Sequence, residues 1–212
     1  MDSLFDDGSI ALRPTVIDVD CGALRHNIAQ IRARVGSARI MGTVKANAYG
    51  HGLIRTAQEL LSCGVDELGV AFLEEGIALR RAGITAPVLV LGGIIGNQIS
   101  HFLEHDLQIT ASSVYKLRQI DETAAAMGRR AQVQLKIDTG MGRIGIRHEN
   151  AVMLFDAMRE ARHADLCGVY SHFAASHDAD PAFTKLQLQR FMEVLDYFPR
   201  NGLPMPARHI AN

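Results

Sequence analysis

The sequence predicts an α/β fold on a parallel sheet. Short β-rich runs alternate with helical patterns along nearly the whole chain. Eight strand candidates can be counted, with helices between nearly all of them. No low-complexity stretch or Pro/Ser-rich linker interrupts the alternation, so one domain is the default. A helix between two strands returns the chain to the same end of the sheet. The strands therefore run parallel, either wound open or closed into a barrel.

Residues 1–14 read as a disordered leader, and residues 15–38 as an N-terminal strand and helix. The strand is Thr15–Asp20 (TVIDVD). Asp20 can cap the helix that follows, whose Leu24, Ile28, Ile31 and Val35 recur at helical spacing. From residue 39 the alternation is regular to residue 212. A strand at Ile40–Lys45 leads through Tyr49-Gly50-His51-Gly52 into a helix, Leu53–Cys63. A strand at Leu68–Ala71 and a helix at Glu74–Ala82 follow. Pro87 opens the strand Val88–Leu91, and Gly92-Gly93 closes it. Helix Asn97–His105 precedes strand Leu107–Ala111, and helix Ser113–Met127 ends at Gly128, a C-cap. Strand Gln132–Asp138 enters the glycine loop Gly140-Met141-Gly142. Helix Glu149–Arg162, strand Leu166–Tyr170, helix Phe183–Phe198 and strand Ala207–Ala211 complete the series.

Composition narrows the function classes. The chain has 212 residues, 48% of them hydrophobic, enough to bury a real core. Lys+Arg 22 against Asp+Glu 23 leaves a net charge of -1, without the basic excess of a nucleic-acid binder. No apolar run reaches the roughly eighteen residues of a bilayer span. The leader lacks the apolar stretch of a signal peptide, so a cytoplasmic protein without membrane contact is expected. Cys21, Cys63 and Cys167 are widely spaced and read as reduced thiols.

In parallel α/β folds chemistry gathers at the C-terminal strand ends. Lys45 ends an apolar strand there. Partial desolvation would lower its pKa and free the amine for Schiff-base formation. A strand-end lysine taken alone is more commonly a snorkelling surface group. The segment around Lys45 changes that balance: Tyr49 offers a hydroxyl to an anion, and the glycines let backbone approach a ligand. Lys136 leads a second segment, in which a strand delivers a lysine and a glycine loop delivers Arg143, a rigid fork for a carboxylate or phenolate oxygen. Lys136 shares a strand face with Gln134 and Asp138, against Val133, Leu135 and Ile137 on the other. If that face is a barrel lumen, the amine needs a partner or a modification; otherwise it is a surface strand. His172, two residues past a buried strand, can stack on a flat ligand or move a proton. His101-Phe102-Leu103-Glu104-His105 matches the H-x-x-E-H pattern of inverted zinc peptidases, but the helix is short and a third ligand is not evident, so no metal is expected.

Together these segments resemble the alanine racemase family, the fold-type III pyridoxal-phosphate enzymes. Val44-Lys45-Ala46-Asn47-Ala48-Tyr49-Gly50-His51-Gly52 is similar to that family's cofactor-lysine signature. Lys136 to Gly145 (KIDTGMGRIG) is similar to its second signature, and Ser171-His172-Phe173-Ala174 and His209-Ile210-Ala211-Asn212 to two more. The resemblance runs in order from about Thr15 to the end of the chain.

The resemblance implies a (β/α)8 TIM-type barrel that binds pyridoxal 5'-phosphate over residues 39–212. It is incomplete here, with about seven barrel strands, and without the family's C-terminal β domain. The first strand would pair with that domain. Lys45 would hold the cofactor as an internal aldimine and serve as one of two bases. Tyr49 would contact the phosphate. Arg143 would contact the phenolic oxygen and the substrate carboxylate, and His172 would lie against the ring. Leu91 and Asn212 would line the cofactor site, and Lys136 aligns with a lysine often carbamylated in the family. The implied activity is that of an isomerase interconverting L- and D-alanine by two-base Cα proton transfer through an external aldimine. D-alanine would then serve as a peptidoglycan precursor. The resemblance further implies a cytoplasmic homodimer whose second base, a tyrosine, comes from the partner. That tyrosine and the arginine facing the pyridine nitrogen have no candidate here, so this chain alone is expected to be impaired. Racemisation of serine or of several amino acids, and a non-catalytic cofactor-binding barrel or scaffold, are the competing readings.

Overall fold

The computed structural model describes residues 17–212 except Gly96. The leader and the first two residues of the Thr15–Asp20 strand lie outside the described residues. Ile17–Asp20 form no strand, which corrects the expectation. A lone extended segment gains ladder hydrogen bonds only from a neighbouring strand, and none pairs with it among the described residues.

Helix α1 (Cys21–Val35) begins where expected: Asp20 Oδ1 accepts from the amides of Gly22 and Ala23 at 2.7 and 3.1 Å. The chain then enters the sheet. Strand β1 (Met41–Thr43) is followed by a short turn, α2 (Lys45–Tyr49), and helix α3 (Leu53–Ser62). Next come β2 (Glu67–Val70), α4 (Leu73–Arg81), β3 (Val88–Val90), α5 (Ile99–Glu104), β4 (Gln108–Ala111) and α6 (Val114–Ala126). Strand β5 (Ala131–Asp138) and the two-residue β6 (Ile146–Arg147) precede α7 (Ala151–Glu160), which opens as a 3-10 turn at His148–Asn150. The long β7 (Ala164–His172), α8 (Ala182–Leu195), α9 (Tyr197–Arg200) and β8 (Ala207–Ala211) finish the fold. The single predicted helix 183–198 thus breaks at Asp196 into α8 and α9.

Seven parallel strands run in the order β1-β2-β3-β4-β5-β7-β8, with β6 paired to the end of β5. The strand path is open: no pairing joins β8 to β1 among the described residues. This is the incomplete barrel the motifs imply.

Each strand has two unlike faces. Leu68, Val70, Val88, Val90, Ile109, Val133, Leu135 and Ile137 point toward the helices and are buried. The register places Glu67, Gln108, Thr110, Gln134, Lys136, Tyr170 and His209 on the concave face. Two-residue β6 escapes sequence reading because it has no periodicity to show. It exists through Gly145 (φ 127°), where a Cβ would lie 2.8 Å from the amide nitrogen of Asp138. Only glycine lets this segment rejoin β5 so closely.

Ion pairs tie α1 to the barrel. Arg25 meets the buried Glu59 of α3 at 2.5 Å, and Arg32 donates to Asp66 and to the carbonyls of Ala38 and Gly64. Arg39 pairs with the buried Glu67. A different device holds α4. Arg80 donates to four carbonyls, those of Ile84, Ala86, His105 and Asp106, at 2.8–3.0 Å. It thereby joins the turns that lead into β3 and β4. Replacing Arg80 by Ala strands these acceptors and is expected to cost about 2–3 kcal/mol. The thermal midpoint should fall by roughly 5–10 °C, with Arg80→Lys recovering only part of it, as read by scanning calorimetry.

Candidate active site

The site begins at the end of β1. The amide of Val44 still donates to the carbonyl of Gly69, continuing the β1–β2 ladder, and Lys45 is the next residue. The expected strand 40–45 therefore stops short of Lys45. The chain instead makes a left-handed turn: Ala46, Asn47, Ala48 and Tyr49 have φ of 53, 55, 52 and 54°. Four consecutive non-glycine residues in this region are strained, at about 1–2 kcal/mol each. The surroundings hold them there. Ala48 N–H donates to Val44 O, and the amides of Gly50 and Gly52 donate to Asn47 O. Asn47 Oδ1 accepts from Leu53 N–H at 2.7 Å, which caps α3. His51 donates from Nδ1 to the carbonyl of Ala48, and Glu75 accepts from Ala46 N–H at 2.6 Å. Gly50 (φ 91°) closes the turn in a conformation that suits glycine.

The second segment leaves β5. Asp138 accepts from the amides of Gly140 and Gly142, shaping the loop that presents Arg143. Beneath it lies a buried polar clamp. Gln187 of α8 is fully buried and donates to Thr139 Oγ1 and to the carbonyl of His172, while its Oε1 accepts from Ala174 N–H. Thr139 Oγ1 also lies 2.8 Å from Ser171 Oγ, and Arg190 donates to the carbonyl of Thr139. One helix thus fixes both the start of the Arg143 loop and the strand end that carries His172.

Under the site the concave face is a connected polar column. Gln134 donates to Gln108, and His209 Nε2–H donates to Gln134 Oε1 at 2.8 Å. Tyr170 stacks on His209, with ring centres 4.8 Å apart and planes at 8°. Its hydroxyl meets Thr110 Oγ1 at 2.7 Å, and the Lys136 ammonium lies 4.0 Å above the Tyr170 ring.

Burial sets the protonation states. Lys136 is 7% exposed. Burial first, then the Arg143 charge, lower its pKa to about 7. Burial, and next the charge of Lys136, lowers His172 to about 4, with Arg143 and Lys45 adding to it. His209 is also held at about 4, by burial and then Lys136. Both imidazoles are therefore neutral at neutral pH. Burial pushes the Tyr170 phenol up, so it remains a hydroxyl.

A cavity of about 240 Å³ opens at this point. All seven residues singled out in the sequence line it: Lys45, Tyr49, Leu91, Lys136, Arg143, His172 and Asn212. Tyr49 is 62% exposed at its rim. Sequence reasoning gave no role to Tyr170 and His209, which also line the cavity. Their signal was the in-phase alternation of β7 and β8, readable only with the register Tyr170↔His209 in hand. The H-x-x-E-H segment lies elsewhere, on α5. His101 pairs with Glu104 at 2.9 Å, and His105 spends Nδ1–H on the carbonyl of His101. Among the described residues no group of three His, Cys, Asp or Glu side chains is placed to hold a metal ion.

Comparison with known proteins gives a consistent result. The family model "Alanine racemase, N-terminal domain" matches residues 19–212. The alanine racemase of Geobacter sulfurreducens is 43% identical over 204 residues, covering 94% of this chain and 53% of the relative. Alanine racemase 2 of Caldanaerobacter subterraneus subsp. tengcongensis is 38% identical over 211 residues, covering 99% of this chain and 53% of the relative. Among solved structures, alanine racemase from the D-cycloserine producer Streptomyces lavendulae superposes with a TM-score of 0.83 at 35% identity, over 92% of this chain and 52% of that one. The histidine racemase of Leuconostoc mesenteroides subsp. sake superposes with a TM-score of 0.84 at 26% identity, over 96% of this chain and 54% of that one. The chain spans about half the length of the curated relatives it matches. It belongs to the alanine racemase family, in the part of the fold that forms the N-terminal barrel.

Proposed function

We propose that this chain is the cofactor-binding barrel portion of a pyridoxal 5'-phosphate-dependent amino-acid racemase acting on alanine. The observation that carries the reading is the meeting of Lys45, Tyr49, Leu91, Lys136, Arg143, His172 and Asn212 around one cavity. A phosphorylated aromatic aldehyde needs an amine to condense with, donors for its phosphate and phenolate oxygens, and a flat neighbour for its ring. This set supplies each. Arg143 adds positive charge where anionic groups must be held.

When bound, the cofactor supplies an electron sink for the carbanion left at Cα after proton loss. The residues do the rest. Lys45 Nζ would hold the cofactor and, once displaced as a free amine, would take or return the Cα proton on its own face. Arg143 would receive the substrate carboxylate and the cofactor's phenolic oxygen with its planar fork. Tyr49 donates its hydroxyl to the phosphate. His172, neutral at neutral pH, is the flat neighbour that would take the cofactor ring. Leu91 and Asn212 complete the wall. Lys136 has a free lone pair on a good fraction of molecules near neutral pH, because its pKa is about 7. It can add carbon dioxide, losing one proton to form a carbamate, whose negative charge then holds Arg143 in place. The same reading makes the complete protein a cytoplasmic homodimer whose partner supplies the second base. No helix among the described residues is long and apolar enough to cross a membrane. A racemase of another amino acid is the second reading, favoured by the likeness to a histidine racemase. Solvent deuterium incorporation at Cα of alanine, serine and histidine separates the two.

Three outcomes are expected. Pyridoxal 5'-phosphate added to the chain gives a borohydride-reducible absorption band near the visible edge, absent in Lys45→Ala; an equal band in the variant contradicts the assignment. The 212-residue chain alone forms D-alanine at least about a hundredfold more slowly than a complete family member, the scale of one missing acid/base group. Robust turnover by the purified chain would overturn that. Finally, ¹³C-bicarbonate gives a carbamate NMR signal at pH 8 that fades as the pH drops below the Lys136 pKa of about 7, where protonation removes the lone pair. Lys136→Ala lacks the signal at every pH.

A further inference from the structure

Glu75 does more than an ordinary first-turn carboxylate. It is the third residue of α4, and its Oε2 accepts from the amides of Ala71 and Phe72 at 2.7 and 3.1 Å. Those contacts cap the helix and need no further explanation. Its other oxygen, Oε1, reaches 29 residues back in the chain and accepts from Ala46 N–H at 2.6 Å. Ala46 is the residue after Lys45 and the first of the left-handed turn.

From this geometry we propose that Glu75 is the positioning residue for the Lys45 amine. The proposal rests on the reading of Lys45 as the reactive amine. The left-handed turn is strained, so an unheld Ala46 relaxes toward the right-handed or extended regions. Such a change at Ala46 redirects the Lys45 carbonyl and swings the lysine against the cavity. It also shifts Tyr49 at the far end of the same turn, whose ring centre lies 6.0 Å from Lys45 Nζ. A charged acceptor suits the task, because hydrogen bonds to carboxylates are stronger than neutral ones. By bridging the loops after β1 and β2, Glu75 fixes Lys45 relative to α4 and not only to its own strand.

Two substitutions separate the helix cap from the positioning role. Glu75→Asp keeps a carboxylate on the first turn of α4 but is one methylene shorter, so it withdraws from Ala46. Glu75→Gln keeps the length but has one acceptor oxygen for two loops. Two readouts on the full chain are compared: amide hydrogen exchange at Ala46–Tyr49, and the rate of covalent attachment of added pyridoxal 5'-phosphate to Lys45, trapped by borohydride and located by peptide mapping. In Glu75→Asp, exchange at Ala46–Tyr49 should rise about tenfold or more, the scale of one lost charged hydrogen bond, while exchange within α4 stays unchanged. Attachment at Lys45 should slow by a similar factor in both variants. Wild-type exchange at Ala46 and wild-type attachment in both would overturn the proposal and leave Glu75 a helix cap alone. If the wild-type chain shows no attachment at Lys45, the functional reading fails instead. The exchange data then still decide whether Glu75 holds the turn.

Discussion

A parallel sheet that curls on itself must fill its concave side, and in this protein that side is filled by polar groups that satisfy one another. Gln108, Gln134, His209, Tyr170 and Thr110 form a chain of hydrogen bonds and stacked rings running up from the barrel interior toward the cavity. A buried polar network is stable only when each member has a partner, since a stranded donor or acceptor costs its full desolvation. The arrangement fixes the register of the central strands. It also leaves Lys136 as the one lysine set deep against an aromatic face, with its charge held down by burial.

The site above this column is held from outside the barrel. Two helices reach in with polar side chains, α4 with Glu75 and α8 with Gln187 and Arg190, and α3 anchors the turn by donating Leu53 N–H to Asn47. The strand ends carry the groups that line the cavity, and the helices decide where those ends point. This division explains why a loop as glycine-rich as 140–145 can present an arginine in a defined place. Thr139, at its root, is gripped by Gln187 and Arg190, while Gly145 at its far end is pressed against β5.

Much of this was legible in the sequence. The βα alternation is a strong signal because helix-facing positions such as Ile109, Val133 and Leu135 are uniformly aliphatic, and Lys45, Tyr49, Lys136 and Arg143 sit in or beside glycine-bearing loops. What was hidden depends on distance in the chain. Glu75 looks like any acidic residue in a first helical turn, and Gln187 like a polar residue on a surface helix, although it is fully buried. In Ala46-Asn47-Ala48-Tyr49 only Asn47 tolerates positive φ readily, so contacts from α3 and α4 impose that conformation on the others. The strand expected at Thr15–Asp20 had the right residue types in Ile17 and Val19, but a strand is a property of a pair.

The left-handed turn has a consequence for the order in which the molecule assembles. A run of L-residues in this conformation is disfavoured in the free chain, so it cannot act as a seed for folding. Beyond its own local hydrogen bonds, the groups that hold it belong to separate elements: the carboxylate to α4, the capped amide to α3, the ladder partner Gly69 to β2. The full set of restraints on the turn exists only once those pieces are docked. Lys45 therefore takes its folded place only in a molecule whose α3, α4 and β2 are already docked around the turn.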